Sequence, residues 1–194
     1  MSKTYIPLVD ADSNVVGYGE KIYCHTNPML HLAFSLIVYR FHNNELEFLL
    51  QQRSPKKYHC PGLWANTCCS HPKSLLSLKK DVHQRAIEEL GLEIDINTIK
   101  YIDSFIYRES LDNQLSEYEL DYLFIAPYKM NYQLRLNENE VMSIRWESIN
   151  NINSLCQSAT TAPWLRHIWK CINAHRSTFE KDALNKWQIE TDKS

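Results

Sequence analysis

Leu75-Leu76-Ser77-Leu78-Lys79-Lys80-Asp81-Val82-His83-Gln84-Arg85-Ala86-Ile87-Glu88-Glu89-Leu90-Gly91-Leu92 is the stretch whose reading decides the fold class. Leu78, Val82, Ala86 and Leu90 recur every four residues, which places them on one helix face as a buried stripe. Gly91 then stands where a helix ends in a left-handed residue. The spacing predicts a helix over Leu75 to Leu90. Both flanks read as strands. Downstream, Tyr101 to Tyr107, Glu117 to Ala126 and Val141 to Trp146 are rich in β-branched and aromatic residues, with Asp112-Asn113 in the polar connection between the first two. Upstream, Tyr5 to Val9, the turn Asp10 to Asn14 and Val15-Val16 read as a hairpin. His31 to Phe41, the break at His42-Asn43-Asn44 and Leu46 to Gln52 read as a second one. Pro163 to Trp187 reads as one or two helices, with Pro163 near a first turn. Strands and helices mixed in this way predict an α+β fold. It has a mixed β-sheet core flanked by helices, an N-terminal hairpin and a C-terminal helical extension.

The chain has 194 residues, and one domain over 1–194 is expected, with its core at about 30–170. A formal net charge of −2 gives no electrostatic basis for a nucleic-acid partner. The longest apolar stretch, Met29 to Val38, is too short to span a bilayer and contains His31 and Ser35, so no membrane partner is expected. The six cysteines form no CxxC pair and no secreted disulfide framework, which predicts a reducing, cytoplasmic setting. Nothing in the sequence addresses the oligomeric state; a monomer is the default.

Three groups of residues carry chemical meaning. In Ser116-Glu117-Tyr118-Glu119-Leu120-Asp121-Tyr122-Leu123-Phe124, strand alternation sends Glu117, Glu119 and Asp121 to one face. Taken alone, this is a solvated face with an apolar back. In a pocket, so many carboxylates call for a cation, because each raises the pKa of the others. In Asn66-Thr67-Cys68-Cys69-Ser70-His71-Pro72, an extended backbone puts Thr67, Cys69 and His71 on one side and Cys68 on the other. Cys69 can then be a reactive thiol beside the ligand His71, with Cys68 a small core residue. His25 and His31 flank Asn27-Pro28. Three histidines with two carboxylates suit zinc, manganese or iron better than calcium. On the helix, Arg85 and Glu89 are four apart and share a face, either as a surface ion pair of small value or with Glu89 taking a divalent cation and Arg85 a phosphate.

Arg85-Ala86-Ile87-Glu88-Glu89-Leu90-Gly91-Leu92 is also the closing half of the Nudix signature. The opening half is missing: by register its leading glycine falls on Ser70, its upstream glutamate on Leu76, and its Arg-Glu pair on Gln84-Arg85. Nudix hydrolases gather several carboxylates around magnesium to activate water. A Nudix-like scaffold with different chemistry is therefore expected. From about residue 5 to 170 the chain resembles type 1 isopentenyl-diphosphate isomerases. The resemblance rests on Glu20-Lys21, His25-Thr26, His31-Leu32-Ala33-Phe34-Ser35, Gln51-Gln52-Arg53-Ser54 with Lys57, and Pro61-Gly62. It continues through Asn66 to Pro72, Glu88 to Gly91, Tyr107, Glu117-x-Glu119 and Ala162-Pro163-Trp164.

The resemblance implies that His25, His31, His71, Glu117 and Glu119 hold a manganese, zinc or magnesium ion, and that Glu89 holds a magnesium bridging to the substrate diphosphate. It further implies that Lys21, Arg53, Lys57 and Arg85 contact the diphosphate, and that Cys69 and Glu119 form the acid/base pair. Tyr107 supports that carboxylate, and Trp164 forms an aromatic wall. The implied partner is a small isoprenyl diphosphate, isomerised between its isopentenyl and dimethylallyl forms. Ser70, Gln52 and Leu165 depart from the commoner Gly, Arg and Phe, which bears on substrate positioning. Three rivals are a Nudix diphosphate hydrolase, a non-catalytic zinc-stabilised domain and a Cys-His hydrolase.

Overall fold

A computed structural model describes residues 3–43, 45–111 and 114–179. The expected connection at Asp112-Asn113 and the end of the C-terminal helix, beyond residue 179, lie outside the described residues. The strands are β1 (Tyr5–Val9), β2 (Val15–Glu20), β3 (His31–His42), β4 (Glu45–Arg53), β5 (Trp64–Ala65), β6 (Cys68–Ser70), β7 (Lys100–Ser110), β8 (Ser116–Pro127) and β9 (Val141–Ser148). The helices are α1 (Lys21–Thr26), α2 (Leu78–Leu90), α3 (Ile149–Leu155) and α4 (Leu165–Ala174). Every longer element matches its expectation. The helix expected from Leu75 opens with a separate 3₁₀ turn at Leu75–Ser77, and α2 starts at Leu78. The C-terminal helix starts at Leu165, with Trp164 at its N-cap.

The strand β3 organises the sheet. It pairs antiparallel with β1, β4 and β6, and parallel with β8. From His31 to Tyr39 every residue of β3 is buried, as a central strand covered on both faces requires. Alternation divides the two layers. Phe34, Leu36 and Val38 face α2, joining its stripe of Leu78, Val82, Ala86 and Leu90 with Phe124 and Ala126. Fully burying a Leu or Val side chain contributes about 1.5–3 kcal/mol, so this stripe is what fixes α2. Ile37 and Tyr39 face the opposite way and pack with Leu123, Ile125, Trp164, Leu165, Ile168 and Trp169. His31 and Ser35 belong to this second face. The cavity lies there, where the apolar core gives way to polar groups.

Short elements escaped the sequence because local capping rather than periodicity makes them. Helix α1 has only six residues, and the Glu20 carboxylate accepts from the backbone N–H of Ile22 at 3.1 Å and Tyr23 at 2.9 Å. Ser148 caps α3 in the same way, accepting from Asn151 N–H. The end of α2 matches its expectation, with Gly91 left-handed at φ 60°. A Cβ there would lie 2.8 Å from the Arg135 Cβ and 3.0 Å from the Arg135 carbonyl oxygen. Gly91→Ala is therefore expected to lower stability by about 1–2 kcal/mol from the backbone alone, with crowding at Arg135 added. A urea unfolding midpoint that does not fall, at unchanged m-value, would contradict this account.

Candidate active site

Sheet register assembles the site. The pairing of β3 with β8 sets His31 beside Glu119, and that of β7 with β8 sets Tyr107 on the other side of Glu119. The pairing of β3 with β6 sets Ser35 beside Cys69. Residues paired this way share a face, so His31, Glu119 and Tyr107 form one row across three strands. Helix α1 brings Lys21 and His25, and the loop after β6 brings His71. The resulting cavity is lined by Lys21, Arg53, Lys57, Cys69, Arg85 and Trp164 among others.

At the floor, His25, His31, His71 and Glu119 present ligand atoms within 4.8 Å of one another. The rings of His25, His31 and His71 are 4.9–5.2 Å apart by centroid. His25 Nδ1 donates to the Lys21 carbonyl and His31 Nδ1 to the Met29 carbonyl, each at 2.7 Å. Those bonds fix both tautomers and turn the Nε2 lone pairs inward. Both Nε2 atoms are buried without a hydrogen-bond partner. They face carboxylate oxygens instead, Glu117 Oε2 at 3.2 Å and Glu119 Oε1 at 3.4 Å. Lone pair opposite lone pair in a buried site is repulsive unless a cation lies between them, so this donor set fits a metal ion. Glu117 stands beside the four-residue group, linked to it through His25.

Burial and charge act in opposite senses here. Glu117, Glu119 and Asp121 are all buried, so the solvated-face reading of this strand is overturned. Burial and the neighbouring Glu119 push the Glu117 carboxyl up to about 7. Burial also pushes up on Glu119, but the His31 and His71 imidazoles that face it outweigh burial and hold this carboxyl well below the usual range. Burial pulls His71 down to about 3, so its imidazole stays neutral. Asp121 is pushed well up by burial and by Glu119, while Ser35 Oγ donates to it at 2.7 Å. Tyr107 donates its hydroxyl proton to Glu119 Oε2 at 2.6 Å. Burial pushes the Cys69 thiol up to about 12, which keeps it protonated. Alternation sorted the two cysteines as expected: Cys69 lines the cavity, and Cys68 is fully buried in the α2 layer. Thr67 departs from that expectation. It precedes the three-residue β6, and its hydroxyl donates to the Leu49 carbonyl at 2.6 Å instead of facing the cavity.

The cationic side opens beyond Cys69. Lys21, Arg53, Lys57 and Arg85 all line the cavity. The Arg53 guanidinium lies 5.1 Å from the Trp164 ring centroid. The Trp164 indole N–H is anchored by Asn66 Oδ1 at 3.1 Å. Glu89 sits behind Arg85, 2.5 Å from its Nη2, and is further held by Gln51 Nε2 at 2.9 Å.

Three participants were not legible in the sequence. Glu140 ties Lys57 at 2.5 Å to Arg85 at 2.8 Å, and His59 Nε2 lies 3.1 Å from both Glu117 Oε1 and Arg53 Nη2. Tyr58 lies beneath the Lys21 ammonium, 5.4 Å from ring centroid to nitrogen. All three come from loops without periodicity, so nothing local marked them.

A Nudix domain model matches residues 29–168. The chain is 43% identical over 143 residues to an isopentenyl-diphosphate Delta-isomerase of Photobacterium profundum, covering 74% of this chain and 78% of that one. It is 36% identical over 183 residues to isopentenyl-diphosphate Delta-isomerase 2 of Photorhabdus laumondii, covering 93% and 95%. Identity to isopentenyl-diphosphate Delta-isomerase 1 of Mesocricetus auratus is 32% over 183 residues, covering 83% and 78%. Among solved structures, DR0079 from Deinococcus radiodurans superposes with a TM-score of 0.65 at 17% identity, covering 87% of this chain and 99% of that one, a likeness of fold alone. The chain belongs to the isopentenyl-diphosphate Delta-isomerase family, on a Nudix fold.

Proposed function

We propose that this protein interconverts isopentenyl diphosphate and dimethylallyl diphosphate, as an intramolecular allylic isomerase supplying isoprenoid precursors. The observation that carries the proposal is convergence: Cys69, Glu119, Trp164 and four cationic side chains line one cavity beside a histidine-carboxylate cluster. A diphosphate monoester of a short alkene needs just these parts. The cations bind its anionic end, and arginine offers forked contacts to phosphate. The alkene end then lies toward Cys69, Glu119 and Trp164.

The reaction adds a proton to the terminal alkene carbon and removes one from the carbon two bonds nearer the oxygen. A tertiary carbocation lies between the two steps. Cys69 and Glu119 divide the two proton transfers between opposite faces of the substrate, and Tyr107 orients Glu119 through its hydrogen bond. General acid/base groups of this kind contribute about 10²–10⁴-fold each. A carbocation is destroyed by water, so the site must be dry. Buried Trp164 closes one side and presents a π face to the developing positive charge. His25, His31, His71, Glu117 and Glu119 would hold a manganese, zinc or magnesium ion, and Glu89 would serve a magnesium at the diphosphate. When bound, these ions supply fixed positive charge that favours ionised Glu119 and neutralises the diphosphate. The turn before α2 speaks against the hydrolase reading: Leu76, at the place of the signature's upstream glutamate, is 99% exposed and carries no charge.

Supplying isopentenyl diphosphate and magnesium to the metal-loaded protein is expected to yield dimethylallyl diphosphate; release of inorganic phosphate without isomer would refute the reading. Cys69→Ala should lower turnover by at least about 10²-fold with metal content near that of the parent, whereas Cys68→Ala should leave turnover within a few fold. Full activity in Cys69→Ala would remove that thiol from the chemistry. His31→Ala should reduce bound transition metal as measured by elemental analysis. Metal affinity of the parent should also fall as pH drops, since protons compete for the histidine lone pairs. Equal metal content in His31→Ala and parent would place the ion elsewhere.

A further inference from the structure

Tyr107 is held from two sides, and only one of them belongs to the cavity. Its hydroxyl meets Glu119. On its outer side the ring lies against His167, with centroids 5.2 Å apart and planes 26° from parallel. His167 is a residue of α4, one turn after Trp164, and its backbone N–H donates to the Trp164 carbonyl at 3.0 Å. Its Nε2 is 2.5 Å from Glu109 Oε1, and Arg166 donates to the same oxygen. Glu109 lies two residues after Tyr107 on β7, so the two side chains leave the strand on the same face. Phe105, on that face too, stacks on His167 at 6.5 Å and lies 5.9 Å from Tyr107. A carboxylate on the tyrosine's own strand thus fixes an imidazole from the helix that carries the aromatic wall, and the imidazole covers the tyrosine ring.

We propose that His167, anchored by Glu109, is a positioning residue for Tyr107. It sets the ring orientation from which Tyr107 donates to Glu119, and it couples that orientation to the first turn of α4, hence to Trp164. His167 does not line the cavity and touches no reacting atom. The proposal rests on the reading that Tyr107 supports Glu119. Stacking suits this task, because offset aromatic faces restrain a ring against tilting while leaving the hydroxyl free to choose its acceptor. A tilt that moved the hydroxyl by about 1 Å would cost up to about 10²-fold in rate.

The test is a double-mutant cycle on the metal-loaded enzyme with isopentenyl diphosphate, combining His167→Ala with Tyr107→Phe. His167→Ala is expected to lower kcat by roughly tenfold, inside that limit, with KM nearly unchanged and the melting temperature close to the parent's. In the Tyr107→Phe background, removing His167 should cost almost nothing further, since residues acting through one another are not additive. Glu109→Gln should reproduce the loss in part, and His167→Phe, which keeps a flat ring, should restore most of kcat. If His167→Ala folds poorly, the Glu109→Gln and His167→Phe pair carries the same comparison. His175→Ala is the control. It removes the contact of His175 Nε2 with Asp103 Oδ2 at 3.0 Å, which joins α4 to β7 without touching Tyr107, and should leave kcat unchanged. Losses that multiply in the double variant, or an unchanged kcat in His167→Ala while Tyr107→Phe is impaired, would overturn the positioning role. An unchanged kcat in Tyr107→Phe would instead remove the reading of Tyr107, and the proposal with it.

Discussion

The parallel pairing of β3 with β8 is the constraint on which the site depends. It places His31 level with Glu119, and the antiparallel β7 completes the row with Tyr107. A slip of β8 by one residue would turn Glu117, Glu119 and Asp121 toward Phe34, Leu36 and the α2 stripe. Unpaired carboxylates in that apolar layer would cost several kcal/mol. The apolar residues of the opposite face of β8, Leu120 and Phe124 among the buried ones, would leave their layer at the same time. The same alternation that fills the core on one side therefore holds Glu119 in the cavity on the other.

The cavity is polarised. At one end, imidazoles and carboxylates crowd together in a donor set that fits a cation. At the other, Lys21, Arg53, Lys57 and Arg85 gather where repulsion between them needs an answer. Burial and the neighbouring Lys57 and Arg85 lower the pKa of Lys21. Glu140 and Glu89 provide the answer, the first by bridging Lys57 and Arg85 and the second by backing Arg85. Those contacts hold Lys57 and Arg85 at fixed spacing, so an anion that met them would not have to order these two long side chains anew, which is the usual cost of immobilising them.

Elements with strong periodicity were legible in the sequence. The i, i+4 stripe of α2, the glycine that ends it and the long apolar β3 each state their structure within a dozen residues. Alternation also separated Cys69 from Cys68 and put three acids on one strand face. Elements held by a single cap, α1 and α3, were not legible, because six or seven residues carry too little pattern to outweigh alternatives. His59 and Glu140 were invisible for a different reason. Their meaning lies in partners far along the chain, and loops carry no period from which a facing direction can be read. His167 read as an ordinary helix residue; its contact with Tyr107 depends on how α4 lies across β7, 60 residues away in the sequence.

The sequence by itself determined the fold class, the principal strands and helices and, through the resemblance, the family. Local pattern suffices for the elements because hydrophobic periodicity is set by backbone geometry alone. Only the tertiary structure decided which of those acids and histidines are buried, that two histidine lone pairs face carboxylate oxygens, and that Glu89 stands behind Arg85. Protonation was decided there too. The thiol of Cys69 keeps its proton and Glu119 loses its own because burial and long-range hydrogen bonds, neither a property of local sequence, set the free energy of each charge.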